Sequence, residues 1–122
     1  QVELCDILCK DGTFIHVKHY QGSSTLSHLF NQGLVSARLV KADPSFRECA
    51  QVVLDKIEPN CFKLERDSVK QVVFAIISKN DAVRPEIPFF SKVALDAVCS
   101  QLAAMDIDVA LARIKEVRAD CG

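Results

Sequence analysis

Two strand-like segments joined by a short turn near the start of the chain constrain its fold most. Val2–Cys9 and Thr13–Tyr20 contain runs of β-forming residues and are separated by Lys10-Asp11-Gly12. Gly12 tolerates the positive φ that tight hairpin loops require. The sequence therefore predicts an antiparallel β-hairpin.

The length of the hairpin loop decides which polar side chains share a face. A two-residue loop would place Asp6 on the face opposite that of His16. A three-residue loop, with Gly12 in the left-handed bulge position, instead places Asp6 opposite His16. The same register places Leu4 opposite Lys18. We predict the three-residue loop.

The remainder of the chain alternates helical and strand patterns. The predicted elements are a helix capped by Ser23 or Ser24 and ending at Gly33, a further helical stretch Leu34–Lys41, a helix capped by Asp43 and ended by Pro59-Asn60, a strand Gln71–Ser78, a loop Lys79–Pro88, a helix Phe89–Met105 and a strand Asp108–Val117. The apolar, β-branched run at Gln71–Ser78 indicates a central strand that is covered on both faces.

These elements predict an α/β fold. The helix between the last two strands has crossover length, which makes those strands parallel. The sheet is then mixed, with an N-terminal antiparallel hairpin, a crossover βαβ unit and helices covering the sheet. A chain of 122 residues forms a single domain, 1–122. Because it opens at Gln1 without an initiator Met, we expect a C-terminal fragment of a longer protein.

Composition limits the kinds of partner that the chain is expected to bind. With 15 Lys+Arg against 16 Asp+Glu the formal net charge is −1, so any contact with nucleic acid must be local. We expect a cytoplasmic protein with no membrane partner, because the apolar runs are too short to span a bilayer and no leader pattern is present. The six cysteines are scattered, which favours buried, reduced thiols.

Asp6, His16 and Lys18 are the candidate catalytic residues. On a shared face, Asp6 would hold a divalent metal such as Mg²⁺ and Lys18 would stabilise negative charge on a phosphodiester. His16 would act as ligand, base or nucleophile. The alternative is a polar, solvated sheet face without chemistry.

The segment after the hairpin suggests a phosphate contact. Gly22-Ser23-Ser24-Thr25 precedes a helical pattern, and the free N–H groups of a helix start attract phosphate. His28 lies one turn after Ser24 and is added to this phosphate-binding set. Ordinary helix capping explains the same residues.

The combination of Asp6 with His16-Val17-Lys18 on neighbouring strands resembles the restriction-endonuclease-like superfamily, which carries Asp on one strand and acid-x-Lys on the next. The resemblance implies a nuclease-like core. His16 stands where that superfamily has Glu or Asp, which leaves one metal-binding carboxylate.

A second resemblance covers most of the chain. CDILCKDGTFIHVKHYQGSSTLSHLFNQGLVSA and PFFSKVAL are similar to a sporadically distributed, uncharacterised bacterial family of mobile and defence-associated regions. This second resemblance implies a C-terminal piece of a larger protein of unassigned activity, whereas the first implies a nuclease-like phosphodiesterase domain, with catalysis intact or lost. The alternative is a non-catalytic module for nucleic-acid binding or self-association. Expected partners are nucleic acid, a second copy in a homodimer, and an upstream region of the same polypeptide.

Overall fold

A computed structural model of the chain describes residues 3–79 and 87–116. Its elements are β1 (Ile7–Leu8), β2 (Thr13–His19), α1 (Ser23–Ala42), α2 (Pro44–Ile57), β3 (Gln71–Ser78), α3 (Phe89–Ala103) and β4 (Asp108–Lys115). The strands form one sheet in the order β1-β2-β3-β4. β1 is antiparallel to β2, and the other neighbouring pairs are parallel. The predicted mixed α/β class is confirmed. The predicted strand ends at Val2 and Val117, and loop residues 80–86, lie outside the described residues.

The hairpin loop has three residues, as predicted. The Cys9 N–H donates to the Thr13 carbonyl at 2.9 Å, and Gly12 has φ 91°. Ile7 faces Ile15, which is the register that this loop length dictates. A Cβ atom on Gly12 would also lie 2.6 Å from the Ser68 carbonyl oxygen, so both backbone angle and space require glycine here.

β1 is much shorter than the predicted strand Val2–Cys9. The Asp6 N–H donates to the Ile15 carbonyl at 2.9 Å, although the ladder partner of Ile15 is Ile7. Two residues facing one is the pattern of a β-bulge, and it bends the strand. The predicted ladder pair of Asp6 with His16 therefore does not form.

α1 is one helix of 20 residues, so the predicted end at Gly33 is wrong. Gly33 lies inside the helix, where a Cβ atom would be 2.5 Å from Cε1 of Phe74. The glycine thus lets α1 approach β3 closely. α2 begins as predicted: Pro44 is its first residue, and the Asp43 carboxylate accepts hydrogen bonds from the Ser45 and Phe46 N–H groups.

The hydrophobic core lies on one face of the sheet. Its strand residues include Phe14, Val72, Phe74 and Ile76, and side chains of all three helices pack against it. β3 is central, as predicted, but the described helices cover only one of its faces. On the other face Val73 is half-buried and Ala75 is buried, and neither belongs to this core.

The five cysteines within the described ranges are unpaired. Cys5, Cys9, Cys49, Cys61 and Cys99 are all free thiols, and Cys121 lies outside the described residues. Cys49 is exposed and the other four are half-buried, so the prediction of buried thiols holds only in part. Burial raises the pKa of Cys5 to about 12, and the nearby Asp6 carboxylate adds to the rise.

Among residues 3–79 and 87–116, no helix is both long and apolar enough to cross a membrane.

Candidate phosphate-binding site

The parallel strands bring two helix starts to one edge of the sheet. α1 follows β2 and α3 follows β3, so both helices begin near the carboxyl ends of β2, β3 and β4, here called the carboxyl edge. The buried Ser91 hydroxyl in α3 donates to the Ser23 carbonyl in α1 at 3.0 Å. This bond holds the two starts together. In open α/β sheets, ligands bind outside the carboxyl ends of the strands.

His16 and Lys18 share the sheet face that the helices cover. His16 is paired across the sheet with Phe74 and Lys18 with Ile76, and both partners are core residues. His16 is only 5% exposed, and its ring lies 6.1 Å from that of Phe74 between centroids. Burial lowers the pKa of His16, and the Asp6 carboxylate opposes this only in part. His16 is therefore a neutral, largely buried imidazole near pH 7.

Lys18 is half-buried and precedes the last residue of β2. Within the described ranges it forms no ion pair or hydrogen bond. Its ammonium group therefore has no counter-charge among the described residues, and α1 begins five positions further along the chain. A cation without a partner beside a helix start favours an anionic ligand.

Asp6 lies beside His16 and Lys18 but not on the sheet face that they share. The carboxylate oxygen Oδ2 accepts a hydrogen bond from the Val17 N–H at 2.7 Å, at the edge of β2 that β1 would otherwise cover. Asp6 is exposed, and it is close enough to influence the pKa of His16. One carboxylate oxygen is thus occupied in holding the backbone between His16 and Lys18.

The described residues offer a divalent metal no complete set of ligands. No group of three His, Cys, Asp or Glu side chains that could hold a metal ion occurs in these parts of the chain. Asp6 supplies a single carboxylate, which already accepts a backbone hydrogen bond. We assign no metal-dependent step to these residues.

α1 starts without the serine cap that the sequence predicted. Gly22 is the N-cap, with φ 106°, and no side chain caps the helix. Ser23, Ser24 and Thr25 instead form the first helical positions, whose N–H groups have no acceptor inside a helix. The positive φ at Gly22 excludes a serine from the capping position without strain. The helix start thus keeps its N–H donors for other acceptors.

His28 is exposed in the second turn of α1. Within residues 3–79 and 87–116 it forms no hydrogen bond or ion pair with the residues of the carboxyl edge. Of the residues predicted to bind phosphate, Ser23 to Thr25 lie at the carboxyl edge by the path of the chain.

Arg113 of β4 lies at the same level of the sheet as Lys18, and the sequence alone did not identify it as a site residue. Ile76 is paired with Lys18 on one side and with Arg113 on the other. The buried Nε and Nη2 atoms of Arg113 have no hydrogen-bond partner in the part of the chain that the structure describes. The signal was available: in DVALARIK, Arg113 continues the alternating phase of Val109 and Leu111, which pack against the core.

The carboxyl edge thus carries Lys18, Arg113 and an uncapped helix start. Lys18 and Arg113 leave the same face of the sheet on either side of Ile76, about 10 Å apart at their Cα atoms from the usual strand spacing. No described acidic side chain pairs with either one. Such an arrangement is suited to an oxyanion with several free oxygens.

The fold and this edge define a small α/β domain with a cationic site. The chain belongs to a protein family of unknown function (DUF6119), which matches residues 1–115. This agrees with the prediction of an uncharacterised family. Searches of the curated proteins and of the solved structures found no match.

Proposed function

We propose that this domain binds nucleic acid through a phosphate group at the carboxyl edge. Lys18 supplies the charge, and the N–H groups of Ser23 to Thr25 supply hydrogen bonds. The single observation that carries the proposal is the half-buried Lys18, which has no partner among the described residues and lies beside a helix start that no side chain caps. With a net charge of −1, the chain has no general attraction for nucleic acid, so binding depends on this local site.

Binding is better supported than catalysis. The Asp6 carboxylate accepts a bond from the Val17 backbone, and the desolvated imidazole of His16 packs beside Phe74. A general base needs contact with the reacting group, and a largely buried neutral His16 offers little access. The restriction-endonuclease-like arrangement and metal-dependent cleavage by Asp6, His16 and Lys18 stay predictions.

The binding test compares lysine variants with a matched control. Binding of fluorescent single- and double-stranded DNA and RNA is followed by fluorescence anisotropy at low salt. Lys18→Ala is expected to weaken binding about 10- to 150-fold, because a hydrogen bond to a charged group contributes about 1.5–3 kcal/mol. Lys56→Ala removes the same charge from an exposed position in the last turn of α2 and should leave binding unchanged. Equal binding by wild type and Lys18→Ala would refute the proposal.

The same oligonucleotides test the nuclease prediction. Cleavage is measured with Mg²⁺ or Mn²⁺ for the wild type, Asp6→Asn and Lys18→Ala. Asn is chosen because its amide oxygen can still accept a hydrogen bond from the Val17 N–H, so a loss of cleavage is not simply a loss of that bond. Cleavage that persists in both variants rules out these residues as a catalytic pair.

A further inference from the structure

The guanidinium group of Arg113 presents a buried pair of donors without acceptors. Its Nε and Nη2 atoms are shielded from solvent and bond to none of the described residues. These two atoms form one edge of the guanidinium plane, which is the edge that grips two oxygens of a carboxylate or phosphate. A buried polar group without a partner costs stability, so it calls for an explanation.

The sheet register places Arg113 at the same level of the sheet as Lys18. Both residues are paired with Ile76, a core residue, and both side chains leave the helix-covered face. α1 starts just beyond Lys18, and the Ser91 hydroxyl ties the start of α3 to it. Lys18 and Arg113 therefore lie at the same level of the helix-covered face, on the two strands that flank β3.

We infer that Arg113 and Lys18 together bind a strand-terminal phosphate, a phosphate monoester at the end of a nucleic-acid strand. This inference rests on the proposed function and specifies its ligand. Arg113 takes two oxygens through Nε and Nη2, and Lys18 takes the third. No bond is made or broken in this binding.

Two features favour a terminal phosphate over one inside a strand. A phosphate inside a strand has two free oxygens and carries a nucleoside on each side, whereas a terminal phosphate has three free oxygens and one attachment. Because Nε and Nη2 of Arg113 are shielded from solvent, neighbouring side chains must move aside for any phosphate to reach them, and a strand end needs a narrower opening than the middle of a strand. A terminal phosphate also carries a charge of about −1.5 to −2 at pH 7, which matches the two cations.

The experiment measures binding of one oligonucleotide sequence with three different ends. A 5′-phosphate, a 3′-phosphate and unphosphorylated ends are compared by anisotropy for wild type and Arg113→Lys. Lysine keeps the charge but cannot grip two oxygens in one plane. The wild type is expected to bind one phosphorylated end about tenfold more tightly than the unphosphorylated strand, and Arg113→Lys should lose that preference. The phosphorylated strand that binds more tightly shows whether the site prefers a 5′-phosphate or a 3′-phosphate.

Two controls make the result specific. Arg66→Lys makes the same change at an exposed position between α2 and β3, and it should keep the preference. Circular dichroism verifies that each variant is folded. If Arg113→Lys is unfolded, Arg113→Met replaces it, with the same expected loss.

Failures of the two proposals are distinguishable. Binding that depends on Lys18 but ignores the end group overturns the terminal-phosphate inference and leaves the proposed function standing. A preference that survives in the Arg113 variant also overturns the inference. Absence of binding to every oligonucleotide overturns both.

Discussion

Replacing Gly33 by alanine has two opposing effects on stability: a gain in helix propensity and a steric clash with Phe74. In an exposed helix interior, Gly→Ala stabilises a protein by about 1 kcal/mol. In α1 the added Cβ atom would lie 2.5 Å from Cε1 and 2.7 Å from Cζ of Phe74, well inside van der Waals contact. It would also lie 3.3 Å from Cγ1 of Val72. Either the ring or the helix must move.

The ring has little room to move. Phe74 is 0% exposed, and its ring makes an edge-to-face contact with Phe30 at 5.1 Å between centroids. Overpacking of a well-packed core costs about 1–3 kcal/mol, and two close contacts with a fixed ring favour the upper end of that range. After subtraction of the gain in helix propensity, Gly33→Ala should lower the free energy of unfolding by about 2 kcal/mol.

Urea unfolding followed by circular dichroism at 222 nm measures this loss. A second background isolates its cause: Phe74→Leu removes the ring, so Gly33→Ala should be neutral or stabilising when it is added to Phe74→Leu. A Gly33→Ala variant as stable as the wild type would refute the close packing of α1 on β3. A similar loss on both backgrounds would show that Phe74 is not its cause.

Three further predictions concern single residues. Arg113→Met should raise the free energy of unfolding without ligand by about 1–3 kcal/mol, since it removes buried donors that have no acceptor among the described residues; a less stable variant in urea unfolding would contradict this. Asp43→Ala should lower stability by about 1 kcal/mol in the same assay, because α2 loses its cap, and no change would argue against that cap. Burial in the folded chain holds the pKa of His16 below its ordinary value of 6.5. Folding therefore favours the neutral imidazole, and this contribution to stability is present above pH 6.5 and is lost as the pH falls below that value. Wild type should therefore lose more stability between pH 7.5 and 5.5 than His16→Leu, and identical slopes would count against the buried imidazole.

The sequence predicted those features that local chemistry decides. Gln71–Ser78 was placed with the bounds that the structure has, because an apolar, β-branched run of this length is typical of a buried strand. The Asp43-Pro44 start of α2 and the three-residue loop at Gly12 were likewise predicted, since each depends on backbone geometry within a few residues.

The candidate site was predictable only in part. The shared face of His16 and Lys18 follows from the two-residue period of a strand, which operates within β2 alone. Arg113 lies 95 positions after Lys18 in the sequence, and only the pairing of both residues with Ile76 brings them to one level. Spacing along the chain carries no information about that pairing.

What the sequence by itself determined is the order of strands and helices, the hairpin loop and the α2 cap, because these follow from the conformational preferences of neighbouring residues. The tertiary structure alone decided that α1 continues through Gly33, where the ring of Phe74 occupies the space of a side chain. It also decided that Asp6 bonds to the Val17 backbone. Contacts between residues distant in sequence have free energies comparable to local propensities, so they override a local signal wherever the packed sheet and helices require it.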